Sequence, residues 1–186
     1  MSYDLRLFKT KLGEEPEVTA RHDSEGLPSS PPDSEKEELK RKVTAALMVY
    51  NPRLQPFKFV YEDVAKSQKI SVEEAKLKFR HIELNGPREN TNGIQIILFD
   101  DEASVTVPYR HHGEKASETF NEIWDYLEII QRETGYLIFD PQLDRMLDLS
   151  RDFNEVVSRY GGVVQKTKAK IVASKASPQK PWWKFW

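Results

Sequence analysis

Apolar and polar residues alternate from the start of the chain. Tyr3, Leu5 and Leu7 are separated by Asp4 and Arg6, a period of two that predicts a short strand over 3–9. The same period returns in "GIQIILFDDEASVTVPYRH". Ile94, Ile96 and Leu98 face one way and Ile97 and Phe99 the other, which predicts a central strand. Val105, Val107 and Tyr109 then alternate with Ser104 and Thr106, as a strand with one wet face does. "RHIELN" (80–85) and "YLIFDPQ" (136–142) predict two more strands, with "GPRENTNG" (86–93) as a loop.

Elsewhere the period is helical. Leu39, Val43, Ala46, Leu47 and Tyr50 make one face of a helix opened by Asp33 or Ser34 and stopped by Asn51-Pro52. Short helices are predicted near 61–68 and 72–79, with Ser71 and Glu74 at capping-box spacing and Ile70 placed to staple against Ala75. Ala116, Phe120, Ile123, Trp124, Leu127 and Ile130 mark the strongest helix, closed by Gly135. Phe153, Val156, Val157 and Tyr160 mark a last one, which Gly161-Gly162 should end.

Two stretches show no period. Residues 13–32 are rich in Glu, Ser, Pro and Gly and read as a polar, disordered insertion. Residues 166–186 read as a disordered basic-aromatic tail. The expectation is an α+β fold: four or five mostly antiparallel strands, helices packed largely on one face, one domain over 1–165 and a flexible tail over 166–186.

Charge sharpens that division. Of 28 Lys and Arg, seven lie beyond Glu155 with no acid among them, so the rest of the chain carries 21 bases against 30 acids, a balance of −9. An acidic body makes a poor phosphate binder, so nucleic acid is an unfavourable partner. Cysteine is absent, which excludes disulfides and thiolate metal sites and suits a reducing compartment. The opening residues hold no apolar run of signal-peptide length, and no stretch approaches a spanning helix; a soluble, cytoplasmic protein is the default expectation.

Chemistry-bearing patterns are sparse. Tyr61–Phe79 has the outline of a helix-turn-helix, through Ala65, Ile70 and Ser71. Against it stand Lys69 where a glycine is usual, Gln68 where an apolar residue should pack, and Glu73 and Glu74 where phosphates would sit. A structural helical hairpin fits better. Asp100, Asp101 and Glu102 cluster at the predicted hairpin turn, while His111 and His112, adjacent on a strand, point to opposite faces. A polar turn and a solvated strand end explain them without a metal. No nucleophile elbow, P-loop or dinucleotide fingerprint occurs, so no catalytic residue, metal site or cofactor is assigned. Trp124, among Ile and Leu, reads as core.

The stretch "KPWWKFW" is different. Trp is rarely spent outside a core, and adjacent exposed aromatics carry a solubility penalty. Trp182, Trp183, Phe185 and Trp186, rimmed by Lys180 and Lys184, have the composition of a recognition anchor: for a pocket on another protein, for a groove on the body, or for an anionic membrane surface. Stacking on single-stranded nucleic acid uses the same ingredients over only a few residues.

The segments "MSYDLRLFK", "RHIELNG", "GIQIILFDDEASVTVPY" and "TGYLIFDPQ" resemble a loose set of small uncharacterised bacterial proteins with an M-S-Y-D-L start and a late Y/F-D-P-Q strand. Some of that set look like immunity proteins or other stand-alone accessory proteins. The resemblance covers parts of 1–10 and 80–150 and implies binding rather than catalysis; it carries no site residues across.

The functional expectation is a non-enzymatic binding or accessory protein that uses the aromatic segment to contact another protein. An immunity-type variant would instead set the acidic surface at Asp100, Asp101 and Glu102 against a basic toxin. The alternatives are a peripheral membrane adaptor, and an enzyme whose site assembles in space around His81, His111 or His112 with carboxylates.

Overall fold

The computed structural model describes residues 2–10, 12–21, 31–86 and 92–176, with side chains as far as Lys166. Its strands are β1 (Ser2–Phe8), β2 (Gln55–Pro56), β3 (Ile82–Asn85), β4 (Gln95–Leu98), β5 (Glu102–Pro108), β6 (Leu137–Asp140) and β7 (Arg145–Met146). They form one sheet in the order β2-β3-β4-β5-β1-β6-β7, and every neighbouring pair is antiparallel. The helices are α1 (Pro16–Arg21), α2 (Ser34–Tyr50), α3 (Tyr61–Gln68), α4 (Val72–Lys78), α5 (Glu114–Thr134) and α6 (Phe153–Ala176). The α+β expectation holds. The two strands beyond the predicted five are the two-residue edges, too short to show a period.

Alternation decides the faces. Tyr3, Leu5 and Leu7 of β1, Ile96 and Leu98 of β4, and Val105 and Val107 of β5 point into one core with Val43 and Leu47 of α2, Phe120, Ile123, Leu127 and Ile130 of α5, and Val156, Tyr160 and Val164 of α6. Fully burying a Leu or Ile there contributes about 1.5–3 kcal/mol. Phe8 points the other way, as its position next to Leu7 requires, and meets Ala20 of α1 and Phe139 in a small second cluster. The helix α1 lies inside the stretch that composition assigns to a loop.

Caps set several helix boundaries. The Asp33 carboxylate accepts from the Glu35 and Lys36 amides at the start of α2, and Ser71 Oγ accepts from the Glu74 amide at the start of α4. Gly135 closes α5 with φ +71° and donates its N–H to Gln131. Lys69 closes α3 in the same left-handed region, at φ +56°, without glycine's freedom. The predicted helix stop at Gly161-Gly162 is overturned. Neither glycine takes a positive φ, and α6 continues through both to Ala176. A glycine ends a helix by going left-handed, and these do not.

The sheet's other face is open across much of its width. One register row crosses it as Glu83, Ile97, Ser104, Arg6 and Phe139. The short helix α1 covers the β6 side of this face. At the opposite margin, the α3–α4 hairpin packs chiefly on itself, and Phe79, which closes α4, meets Phe59 and His81.

Candidate functional site

The open face gathers rings at its β2–β3–β4 margin. Phe57 N donates to Glu83 O at 2.7 Å, so Phe57 extends the register of β2 opposite Glu83 and shares its face. Phe59 follows on the same face. Around it lie Phe57 and His81, each with ring centroids 4.9 Å away, and Tyr61 and Phe79, each at 6.1 Å. Phe99 of the β4–β5 turn closes on His81 at 5.3 Å. None of these six residues belongs to either buried core cluster. Phe57 is 52% exposed and Val60, the first residue outside α3, is 55% exposed. The rings form an aromatic shelf with the half-exposed Phe57 on it, and Val60, next to Phe59 in the chain, is a second exposed apolar residue.

The shelf has a charged rim. Glu62 and Asp63 occupy the exposed first turn of α3. Glu83 beside it accepts from Asn85 Nδ2 at 2.7 Å and Gln95 Nε2 at 2.8 Å. None of the three carboxylates has an ion-pair partner among the described residues. Beneath the shelf, His81 Nδ1 is buried without a hydrogen-bond partner. Burial holds this imidazole below its usual pKa, with Lys40 adding to the effect and Glu83 opposing it.

The acidic candidates are engaged elsewhere in the molecule. Asp100 accepts from Lys40 Nζ at 3.0 Å and from the Arg80 guanidinium, and Lys40 also reaches Glu37 Oε1 at 2.8 Å. Burial pushes the Asp100 carboxyl up, but Arg80 and Lys40 more than reverse this and leave it below the ordinary range. Asp101 pairs with Lys36, and Glu102 with Arg6 at 3.2 Å. All three therefore bind cations of their own chain and tie the β4–β5 turn to α2 and β1.

The histidines are not brought together. His81 stands among the shelf rings, whereas His111 is buried at the end of β5. There its Nε2 lies 2.5 Å from Asn92 O, and its amide donates to Tyr160 Oη at 3.1 Å. His112 is exposed. Among the described residues no three His, Asp or Glu side chains are arranged to hold a metal. Trp124 is core as expected; its Nε1 donates to Leu149 O at 2.9 Å and its ring meets Phe153. The anchor candidates Lys180, Trp182, Trp183, Lys184, Phe185 and Trp186 lie outside the described residues.

Two sequence signatures meet in one buried contact. The Tyr3 hydroxyl donates to Asp140 Oδ2, and both residues are fully buried. Asp140 Oδ1 accepts from the Gln142 and Leu143 amides at 2.7 and 3.1 Å, and Gln142 Oε1 accepts from the Asp4 amide at 3.4 Å. The "SYD" opening and the "FDPQ" turn thus clasp β1 to β6.

Comparison with protein-family models, with curated proteins and with solved structures finds no match. Among the described residues no helix is long and apolar enough to cross a membrane.

Sequence reasoning passed over the shelf. "FKFVY" (57–61) reads as a prelude to the helix after it, although three aromatics in five residues were a visible signal.

Proposed function

We propose that this protein works by binding another protein, through the aromatic segment Lys180–Trp186 and the shelf at Phe57 and Val60. The observation that supports the reading is the shelf itself. The Phe57 ring remains more than half exposed on the ring cluster, and Val60, between Phe59 and Tyr61 in the chain, is likewise exposed, in a chain with ample core to receive them. Exposed rings of this kind carry a disproportionate share of interface energy once a partner removes them from water. The pairing of Asp100, Asp101 and Glu102 with Lys40, Arg80, Lys36 and Arg6 weighs against the acidic turn as the contact surface, since a basic partner would have to displace cations already in place.

Affinity capture from the source cells tests this, using the full chain, Phe57→Glu/Val60→Glu, and a Trp182→Ala/Trp183→Ala/Trp186→Ala chain. The expected result is a single partner held by the full chain and lost from both variants, with each Trp or Phe costing roughly 2 kcal/mol. Undiminished capture by the triple variant would remove the anchor role. Binding to anionic but not neutral vesicles, with no protein partner, would favour the membrane adaptor instead.

A further inference from the structure

We infer that, in the free protein, residues 177–186 dock on the aromatic shelf of their own chain, with Trp182, Trp183, Phe185 and Trp186 covering Phe57 and Val60. The inference rests on the reading of those residues as contact anchors, and adds that the anchor is held back until a partner takes it.

Three features of the molecule carry it. The first is complementarity. The shelf is aromatic, with Glu83 opposite Phe57 and with Glu62 and Asp63 following Tyr61 in the exposed first turn of α3, while the segment is aromatic and carries Lys180 and Lys184. On a larger scale, residues 1–155 balance to −9, and the stretch beyond Glu155 holds seven bases, Lys180 and Lys184 among them, and no acid.

The second is reach. Tyr160 Oη donates to Pro108 O at 2.6 Å, and Val164 is buried, so α6 is moored at the end of β5. From there to Phe57 is three strand spacings across and four residues along the sheet, about 20 Å in all. The helix beyond Val164 spans about 18 Å. The ten residues after Ala176 add up to ~33 Å when extended, enough to turn the sheet's rim.

The third is the form of the free edge. Gln55 and Phe57 direct their backbone groups at β3, which leaves Pro56 facing outward with no N–H to offer. Lys58, exposed beside it, adds charge. A strand from a second copy therefore finds a blunted edge, whereas side chains laid over the rings need no ladder. A tethered segment also competes at an effective concentration of order millimolar, ahead of any free ligand of similar composition.

The test uses the full chain. Trp124 is buried and unchanged throughout, so differences in tryptophan emission and acrylamide quenching report the three terminal tryptophans. The wild-type protein should show them shielded at all protein concentrations. Phe57→Glu/Val60→Glu should shift the emission to the red and raise quenching, with far-UV dichroism and Tm preserved because both sites are exposed. Independently, a photoreactive benzoylphenylalanine at position 183 should cross-link within its own chain to the peptide spanning 55–61. Tryptophans equally exposed in both proteins would overturn docking. So would shielding that survives the double substitution, shielding that appears only as the protein dimerises, or a cross-link elsewhere. If shielding and the cross-link are found but the triple Trp variant captures the same partner as wild type, docking stands and the anchor reading falls.

Discussion

His81 is where the shelf stores its cost. Its Nδ1 is enclosed by the rings of Phe59, Phe79 and Phe99 with no partner, and an unpaired buried polar atom costs about 1–3 kcal/mol. Because burial lowers the folded pKa of this imidazole, the stability it carries is complete above the unfolded value and is lost as pH falls through the folded one. Replacing His81 with Phe keeps a ring of similar size and removes both liabilities. Urea denaturation of His81→Phe should show a gain of about 1 kcal/mol at neutral pH. The gain should grow on acidification to pH 5. A loss at both pH values would mean that Nδ1 has a partner after all.

At the scale of elements, α6 shows how a sequence signal can mislead. Two consecutive glycines look like a stop, yet Gly161 and Gly162 are helical, and a Cβ added at either position meets no atom within 4 Å. Alanine at each should therefore stabilise by about 0.5–1 kcal/mol, from the reduced freedom of the unfolded chain. The measurement is the denaturation midpoint, with a matching rise in helical dichroism; a lower midpoint would show that the glycines serve a bend. The contrast with Gly135 is instructive. Both look alike in sequence, and only the left-handed φ of Gly135 ends a helix. What was legible was whatever repeats locally: the alternation of Ile94, Ile96 and Leu98, the caps at Asp33 and Ser71, and the apolar face of α5. What was not legible either is too short to repeat, as with β2, β7 and α1, or joins residues far apart in the chain. Tyr3 finds Asp140 across 137 positions, and Asp100 finds Lys40 across 60, so neither the β1–β6 clasp nor the neutralised turn could be read from spacing. The shelf fell between the two, because Phe57 and Phe59 continue the β2 edge and meet rings far along the chain, at Phe79, at His81 just before β3 and, through His81, at Phe99 just after β4.

For the whole molecule, the pH dependence of stability follows from which buried groups dislike their charge. His81 and His111 are both held below the usual imidazole range, chiefly by burial, so acidification first removes the stability they contribute as neutral rings. Asp100 keeps a lowered pKa because Arg80 and Lys40 outweigh its burial; its contribution is complete above the unfolded carboxylate value, about 3.9, and is lost below that. Asp140 works in the opposite sense. Burial raises its pKa despite the bonds from Tyr3, Gln142 and Leu143, so its ionised form is a cost that protonation relieves as pH falls. Two imidazoles, the Asp100 cluster and Asp152, whose carboxyl the bond from Arg145 holds below its ordinary range, stand against one carboxyl, and the sum should fall with acidity. Denaturant unfolding between pH 8 and pH 3 should therefore give a plateau above about pH 6.5, a first decline through the imidazole range and a steeper one below about pH 4. The maximum should not sit at the isoelectric point near 6.1, because net charge enters stability only weakly beside these local terms. A rise in stability between pH 7 and pH 5 would mean that Asp140 dominates. Asn at position 140 keeps an acceptor for the two turn amides and would then abolish the rise, whereas under the expected balance the same substitution leaves the imidazole decline in place.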